Sequence, residues 1–332
     1  MLYIRGNRRD FDQWESFGNP GWGYDDVLPY FKKSEDQRNP YLARNTKYHS
    51  TDSPYNTSLD LSYLEATEEM ACNMLDINAE RQTGFAFFQY IKQKKSYGAE
   101  YIRNVEVIFA KREVILSVGA INTPQLLMLS GIGVRNHLEN DRYSSDPGFT
   151  WCRTESSRSY RRSLASSTRL EVVGFLSSKY ANQTDDWSDM KFMITSATIN
   201  NLSDVKVNAF CLTNDFYDQA YSEIINHDSF SIISMILRPK SRKYMKLNSK
   251  NLLNYPLMYH DYLMNPDDMN VLRRVKTTIA FAETSSLKKL GARFYSKPLL
   301  NCKHLTMFID EYWECAICQF TVTIYHIIVQ FF

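Results

Sequence analysis

The chain has 332 residues, 44% of them apolar and 14% aromatic, enough for two ordinary domains with packed cores. Its 39 basic and 37 acidic side chains leave a net charge of +2, so the composition excludes a disordered chain and sets up no field that would draw nucleic acid or an anionic membrane surface. No run reaches the roughly 18 apolar residues of a membrane span, the apolar tail 321–332 is too short for one, and the opening MLYIRGNRRDFDQW has no apolar core of a signal peptide.

Residues 1–35 alternate polar clusters with Phe11, Trp14, Phe17, Trp22, Tyr24, Tyr30 and Phe31, which predicts a loop-rich cover over something larger. Within it, Asp25 or Asp26 caps a short helix through Lys33, acids first and lysines last as the helix dipole favours. Residues 36–60, with Pro40, Pro54 and many Asn, Ser and Thr, read as loop. Asp60 then caps a helix to about Leu75, with Leu61, Leu64, Ala71 and Leu75 on one face. Alternation at Val105, Val107 and Phe109 predicts a strand, and the continuous run Val114-Ile115-Leu116 predicts a second, buried on both faces. It leads through Ser117, Val118, Gly119 and Ala120 to a helix with Thr123 as N-cap and Pro124 at N1, running past Leu126, Leu127 and Leu129 to a stop at Gly131.

Residues 139–168 are rich in Ser and Arg and read as a linker. The cluster Arg158, Arg161 and Arg162 within it reads as a solvated loop rather than an anion site. Beyond lie the β-prone runs Leu170–Leu176, Met190–Thr195, Phe230–Leu237 and Tyr244–Leu247, one helix capped by Asn265 with Pro266 at N1 and an apolar stripe of Leu272, Val275, Ile279 and Ala282, and a closing β-rich stretch Phe320–Ile328. Strands with few helices predict an antiparallel sheet with helices on one face. Six cysteines stand at 72, 152, 211, 302, 315 and 318; Cys315 and Cys318 form a CxxC without a second pair at zinc spacing, so structural thiols or a disulfide are expected over a metal. The sequons at Asn56, Asn182 and Asn201 permit a secreted protein. His49, His137, His227, His260 and His304 sit in no catalytic or metal-binding pattern.

The segment Gly119 to Gly133 carries the most chemistry. A strand that delivers the backbone to a glycine, followed by a helix N-terminus, favours close approach of a nucleotide phosphate or ribose. The whole string resembles the second signature of the glucose–methanol–choline (GMC) oxidoreductases at Gly119, Ala120, Thr123, Pro124, Leu126, Leu127, Ser130, Gly131, Ile132 and Gly133. MLYIRGNRRDFDQW resembles the end of the first signature, with Tyr3, Gly6 and Asp12 in place. Trp313-Glu314-Cys315-Ala316 leading to Thr321-Val322-Thr323-Ile324-Tyr325-His326 resembles the family's C-terminal region, as do Arg238–Arg242 and the Asn265-Pro266 helix. The best fit is the insect glucose dehydrogenase-like branch, over about residues 1–85, 105–138 and 170–326.

The resemblance implies an α/β plus α+β protein: a partial, Rossmann-like FAD-binding domain lacking its first βαβ unit over 1–138, a linker over 139–168, an antiparallel-sheet substrate domain over 169–313, and a return to the flavin region over 314–332. It implies FAD as cofactor, held by the backbone of Met1, Leu2 and Tyr3 and by Ser117, Val118, Gly119 and Ala120. The substrate would be a small alcohol or sugar, the electron acceptor a quinone or oxygen, and the location extracellular. Alcohol oxidation needs a hydride acceptor and a base for the hydroxyl proton; imidazole has a suitable pKa, and the family places His326 in that role. The family's opening GxGxxG has no counterpart, since Gly21-x-Gly23 and Gly131-x-Gly133 lack the third glycine, and the expected sequence is also missing between Ile91 and Val105 and after His326. The alternative expectation is therefore a catalytically inactive remnant, or a binding or structural protein that reuses the fold.

Overall fold

The computed structural model describes residues 2–51, 56–58, 73–87, 89–92, 110–139, 170–182, 184–195, 214–225, 227–251, 254–272 and 275–321. The first strand, β1 (Leu2–Tyr3), is followed by two helices, α1 (Arg8–Ser16) and α2 (Tyr24–Ser34). The loop-rich cover expected over 1–35 is thus largely helical. A capping box explains the first helix: Asn7 Oδ1 accepts from the Arg9 N–H at 2.9 Å, and Asp10 Oδ2 accepts from the Asn7 N–H at 3.2 Å. The helix buries Phe11, whose ring meets Tyr24 and Phe31 edge-on at 5.9 and 5.7 Å. The second helix has the expected acids, Asp25 and Asp26, in its first turn and Lys32 and Lys33 in its last, but it starts after Gly23 with no side-chain cap.

Two short strands, β2 (Asp36–Gln37) and β3 (Asn56–Ser58), interrupt the expected loop. Together with β5 (Gln89–Lys92) they complete a sheet of order β1-β5-β3-β2, in which only the β2–β3 pair is parallel. Of the helix expected from Asp60 to Leu75, residues 59–72 lie outside the described residues. Its end is not helical: Asn73 and Leu75 exchange backbone hydrogen bonds with Phe85 at 2.9 Å.

A second sheet carries the main core. β4 (Gly84–Phe87), β6 (Leu170–Leu176), β7 (Met190–Thr195) and β8 (Ser231–Ile236) form an antiparallel sheet in the order β4-β6-β7-β8. Strand alternation sorts its side chains cleanly. Phe85, Phe87, Val172 and Ile194 face Phe281 and Leu287, while Ala86, Val173 and Phe175 face Ile77 and Ile4. Val172, Val173, Phe175 and Leu176 therefore supply apolar side chains to both faces of β6, each of which is covered. Helices α6 (Pro266–Leu272), α7 (Val275–Ala282) and α8 (Ser285–Lys289) supply the first cover, on one side as expected. The numbering leaves α3 (Gly119–Leu129), α4 (Arg135–Glu139) and α5 (Asn214–Tyr221) for the intervening chain. A hairpin of β9 (Tyr244–Lys246) and β10 (Leu257–Tyr259) stacks Tyr244 on Tyr259 at 4.3 Å.

Gly174, on β6, sits against a wall. A Cβ there would lie 2.5 to 2.8 Å from three atoms of the Phe85 ring, which is itself stacked on Phe281 at 6.0 Å. Gly174→Ala is therefore expected to cost about 1–3 kcal/mol by overpacking, read as a lower denaturant midpoint at unchanged slope.

The last helix, α9 (Asp310–Phe320), buries Tyr312, Trp313 and Ala316 around Cys302. Cys302 is disulfide-bonded to Cys315, which bears out the structural reading of the cysteines; Cys318 of the CxxC is free and exposed. Phe320 closes this helix instead of opening a β-rich stretch, and residues 322–332, with His326, lie outside the described residues.

Candidate functional site

The glycine turn at 119 begins with a correction. Val114-Ile115-Leu116 does not form a buried strand; Val114 and Ile115 are 75% and 78% exposed and pair with nothing among the described residues. A strand exists only where a neighbour takes its N–H and C=O groups. The turn itself is as open as the resemblance requires. Ser117, Val118, Gly119 and Ala120 are all exposed. Gly119 has φ +95°, a backbone that favours glycine, and a Cβ there would meet nothing within 4 Å.

The third helix starts at Gly119, about one turn earlier than expected, so Thr123 and Pro124 lie inside it rather than at its cap. Among the described residues no side chain caps its start, which leaves the first-turn N–H groups without a capping partner there. Its end matches the expectation: Gly131 takes φ +84°, and the Ile132 N–H reaches back to the Leu127 carbonyl at 2.9 Å. Side-chain hydrogen bonds from both of its helices help to hold this unit. Gln125 Nε2 donates to the Asn254 carbonyl at 2.9 Å, and His137 Nε2 accepts from the Leu247 N–H at 2.8 Å. Burial, then the charge of Lys246, holds the His137 pKa below its ordinary value, which suits an accepting neutral ring. A bare, left-handed glycine followed by uncapped amides is a donor set that fits a nucleotide phosphate or ribose.

The β1 segment sits over a different construction. Leu2 and Tyr3 pair with Tyr90 and Gln89; Met1 lies outside the described residues. The Tyr3 hydroxyl accepts from Arg5 Nε at 3.0 Å, and burial, eased by the Arg5 charge, raises its pKa. Arg5 also donates to Glu35 Oε2 and to the Tyr48 carbonyl, both at 2.7 Å, and its N–H bonds Asn78 Oδ1 at 2.8 Å. Glu35 in turn faces His49, whose Nδ1 is 3.0 Å from both carboxylate oxygens and whose Nε2 is 2.6 Å from Asp76 Oδ2. Gln89 Nε2 reaches Asp76 Oδ1 at 3.2 Å. The Arg5, Glu35 and His49 side chains are all fully buried. Burial pulls the imidazolium down, but hydrogen bonds to Asp76 and Glu35, with their charges, outweigh it and leave His49 pushed up to about 9. His49 is a structural histidine in a buried charge network. Nothing in its own neighbourhood of the sequence announces that.

A clasp joins this N-terminal unit to the large sheet. Trp187 Nε1 donates to Asp10 Oδ1 at 3.0 Å, and the Arg238 guanidinium lies 4.1 Å over the Trp187 ring and also reaches Asp10. Asn7 Nδ2 donates to the Asp186 carbonyl at 2.6 Å, while the Asp186 carboxylate accepts the N–H groups of Gln82 and Thr83 at 2.7 and 2.6 Å. Arg9 pairs with Asp185. The segment after Arg238 is held likewise, its Lys240 and Ser241 N–H groups bonding the buried Asp268 carboxylate at 2.6 and 2.8 Å. Among the described residues no group of His, Cys, Asp and Glu could hold a metal, and no helix is long and apolar enough to cross a membrane.

Comparison with known proteins gives a consistent answer. The sequence profile of the GMC oxidoreductases matches residues 1–105 and 91–150. A glucose dehydrogenase [FAD, quinone] of Drosophila pseudoobscura pseudoobscura is 29% identical over 403 aligned positions, covering 97% of this chain and 61% of the relative. The Drosophila melanogaster protein of the same name is also 29% identical. An oxygen-dependent choline dehydrogenase of Sinorhizobium fredii is 31% identical over 42% of the chain and 33% of its own length. The fold is shared with formate oxidase of Aspergillus oryzae RIB40 (TM-score 0.66, 17% identity, 96% of this chain and 70% of that one). It is shared also with pyridoxine 4-oxidase of Mesorbium loti (TM-score 0.62, 16% identity, 95% and 68%). The chain thus spans 61% of the length of the glucose dehydrogenases that it matches almost end to end. The expected signature runs, the fold and these relatives agree: the chain is similar to the GMC oxidoreductases over residues 1–150, and to insect glucose dehydrogenases over almost its whole length.

Proposed function

We propose that this chain belongs to an FAD-dependent oxidoreductase acting on CH–OH groups of alcohols or sugars. The carrying observation is the exposed Gly119 turn at the uncapped start of α3, within the segment that resembles the family's second signature. FAD, when bound, supplies the acceptor for the substrate's hydride. The chain's own residues do the rest. Ser117, Val118, Gly119 and Ala120 offer backbone amides to the dinucleotide, Leu2 and Tyr3 border it from β1, and Met1 is assigned the same role. The His326 imidazole takes the hydroxyl proton at a ring nitrogen. The antiparallel sheet β4-β6-β7-β8 holds the alcohol. A quinone or oxygen then receives the electrons. The Cys302–Cys315 disulfide supports an extracellular location, since such bonds persist in oxidising compartments.

The test uses the full-length coding sequence. The purified protein is expected to show flavin absorption that bleaches anaerobically with an alcohol or sugar. Gly119→Ala is strained at φ +95°, at a cost of about 1–2 kcal/mol, but its Cβ meets no protein atom within 4 Å, so it is expected to keep the far-ultraviolet circular dichroism of the parent while losing flavin. A flavin-free parent, or a bound flavin that none of a panel of sugars and alcohols reduces, would sink the proposal.

A further inference from the structure

We propose that Asn182 is an N-glycosylation site, a role independent of the flavin chemistry. Of the three sequons, Asn201 lies outside the described residues and the other two differ in local structure. Asn56 opens β3, an interior strand whose backbone is paired with β5 on one side and β2 on the other. Asn182 sits instead in an exposed turn after β6, closed by the Asp185 N–H on the Asn182 carbonyl at 3.2 Å.

The side chain there is arranged for acylamide chemistry. Asn182 Oδ1 accepts both the Thr184 N–H at 3.1 Å and the Thr184 hydroxyl at 2.8 Å. This Asx turn holds the carboxamide by its oxygen and leaves Nδ2, among the described residues, without an intramolecular bond. The base of the loop is fixed by Arg9–Asp185 and by Asn7 on the Asp186 carbonyl, so a bulky group at the exposed apex disturbs neither contact. The Cys302–Cys315 disulfide belongs to the same oxidising route in which oligosaccharides are attached.

The donor is a lipid-diphosphate-linked oligosaccharide. Asn182 Nδ2 attacks the anomeric carbon, the N–C bond forms as the C–O bond to the diphosphate breaks, the lipid diphosphate leaves, and the Nδ2 proton passes to a base of the transferase. No electrons are gained or lost.

The experiment is secretion of the full-length protein from insect cells, followed by peptide mass mapping with peptide N-glycosidase in heavy-oxygen water. The expected result is labelled aspartate at position 182. Asn182→Gln and Thr184→Ala should each remove one glycan step on a gel, Thr184→Ser should keep it, and Asn56→Gln should remove none. Recovery of unmodified Asn182 from the secreted parent, unchanged mobility of Thr184→Ala, or retention of an unglycosylated protein in the cytosol would each overturn the assignment. Mapping the parent keeps the test valid if a variant fails to fold.

Discussion

Glu35→Ala is expected to destabilise the protein by about 3–5 kcal/mol, the cost of breaking a buried ion pair from one side. Arg5 and His49 both rest on this carboxylate, and all three side chains are fully buried. Removing it leaves the Arg5 guanidinium with only the Tyr3 hydroxyl and the Tyr48 and Asn78 carbonyls, and His49 with Asp76 alone. Denaturant unfolding should show the loss directly, and an unchanged midpoint would mean that the network is solvated. The same network makes stability depend on pH. The folded His49 has its pKa raised from 6.5 to about 9, so its contribution is fully present below about pH 6.5 and is lost as pH rises through about 9. The swing is roughly 3 kcal/mol, and the groups facing the ring are Glu35 and Asp76, with Arg5 beyond Glu35. The unfolding free energy of the parent should fall across that alkaline window, and His49→Gln, weaker at neutral pH, should show a flatter curve.

His326→Ala in the full-length enzyme is expected to lower kcat by about 10²–10⁴-fold, the usual worth of a positioned general base. Flavin content should stay at the parent's level, because the proposed role is at the substrate hydroxyl and not in holding the cofactor. The residual rate should climb with pH, as the alcohol then loses its proton to solvent hydroxide. Turnover at the parent's rate would remove His326 from the mechanism, while leaving the family and the fold untouched.

The large sheet was the most legible part of the molecule. Leu170–Leu176 and Met190–Thr195 are strands to the residue, and Phe230–Leu237 loses one residue at each end, because these runs are rich in the branched and aromatic side chains that pack on a pleated surface. The same logic failed at Val114-Ile115-Leu116, where the run is present but no partner strand among the described residues pairs with it; pairing is a property of two segments and cannot be read from one. The first helix was hidden by its aromatics, although Asn7 and Asp10 stand at capping-box spacing and could have revealed it. In the candidate site, the Gly119 turn was visible because its chemistry is local. The His49 network was not, since Arg5, Glu35, His49, Asp76 and Gln89 meet only once the chain is folded. Cys315 illustrates the same limit: its near neighbour Cys318 is the obvious partner in sequence, and Cys302 is the actual one.

The bare stretch leading into the third helix has a consequence for handling the polypeptide. Val114, Ile115, Leu116 and Val118 precede that helix and Ile132 and Val134 follow it, all six turned to water. Oily side chains in such numbers draw on whatever greasy surface is nearest, and in a concentrated solution that is another copy of the same molecule. This rim, rather than the near-neutral overall charge, should set the concentration at which the polypeptide begins to clump, and a ligand or chain segment laid across it should raise that ceiling.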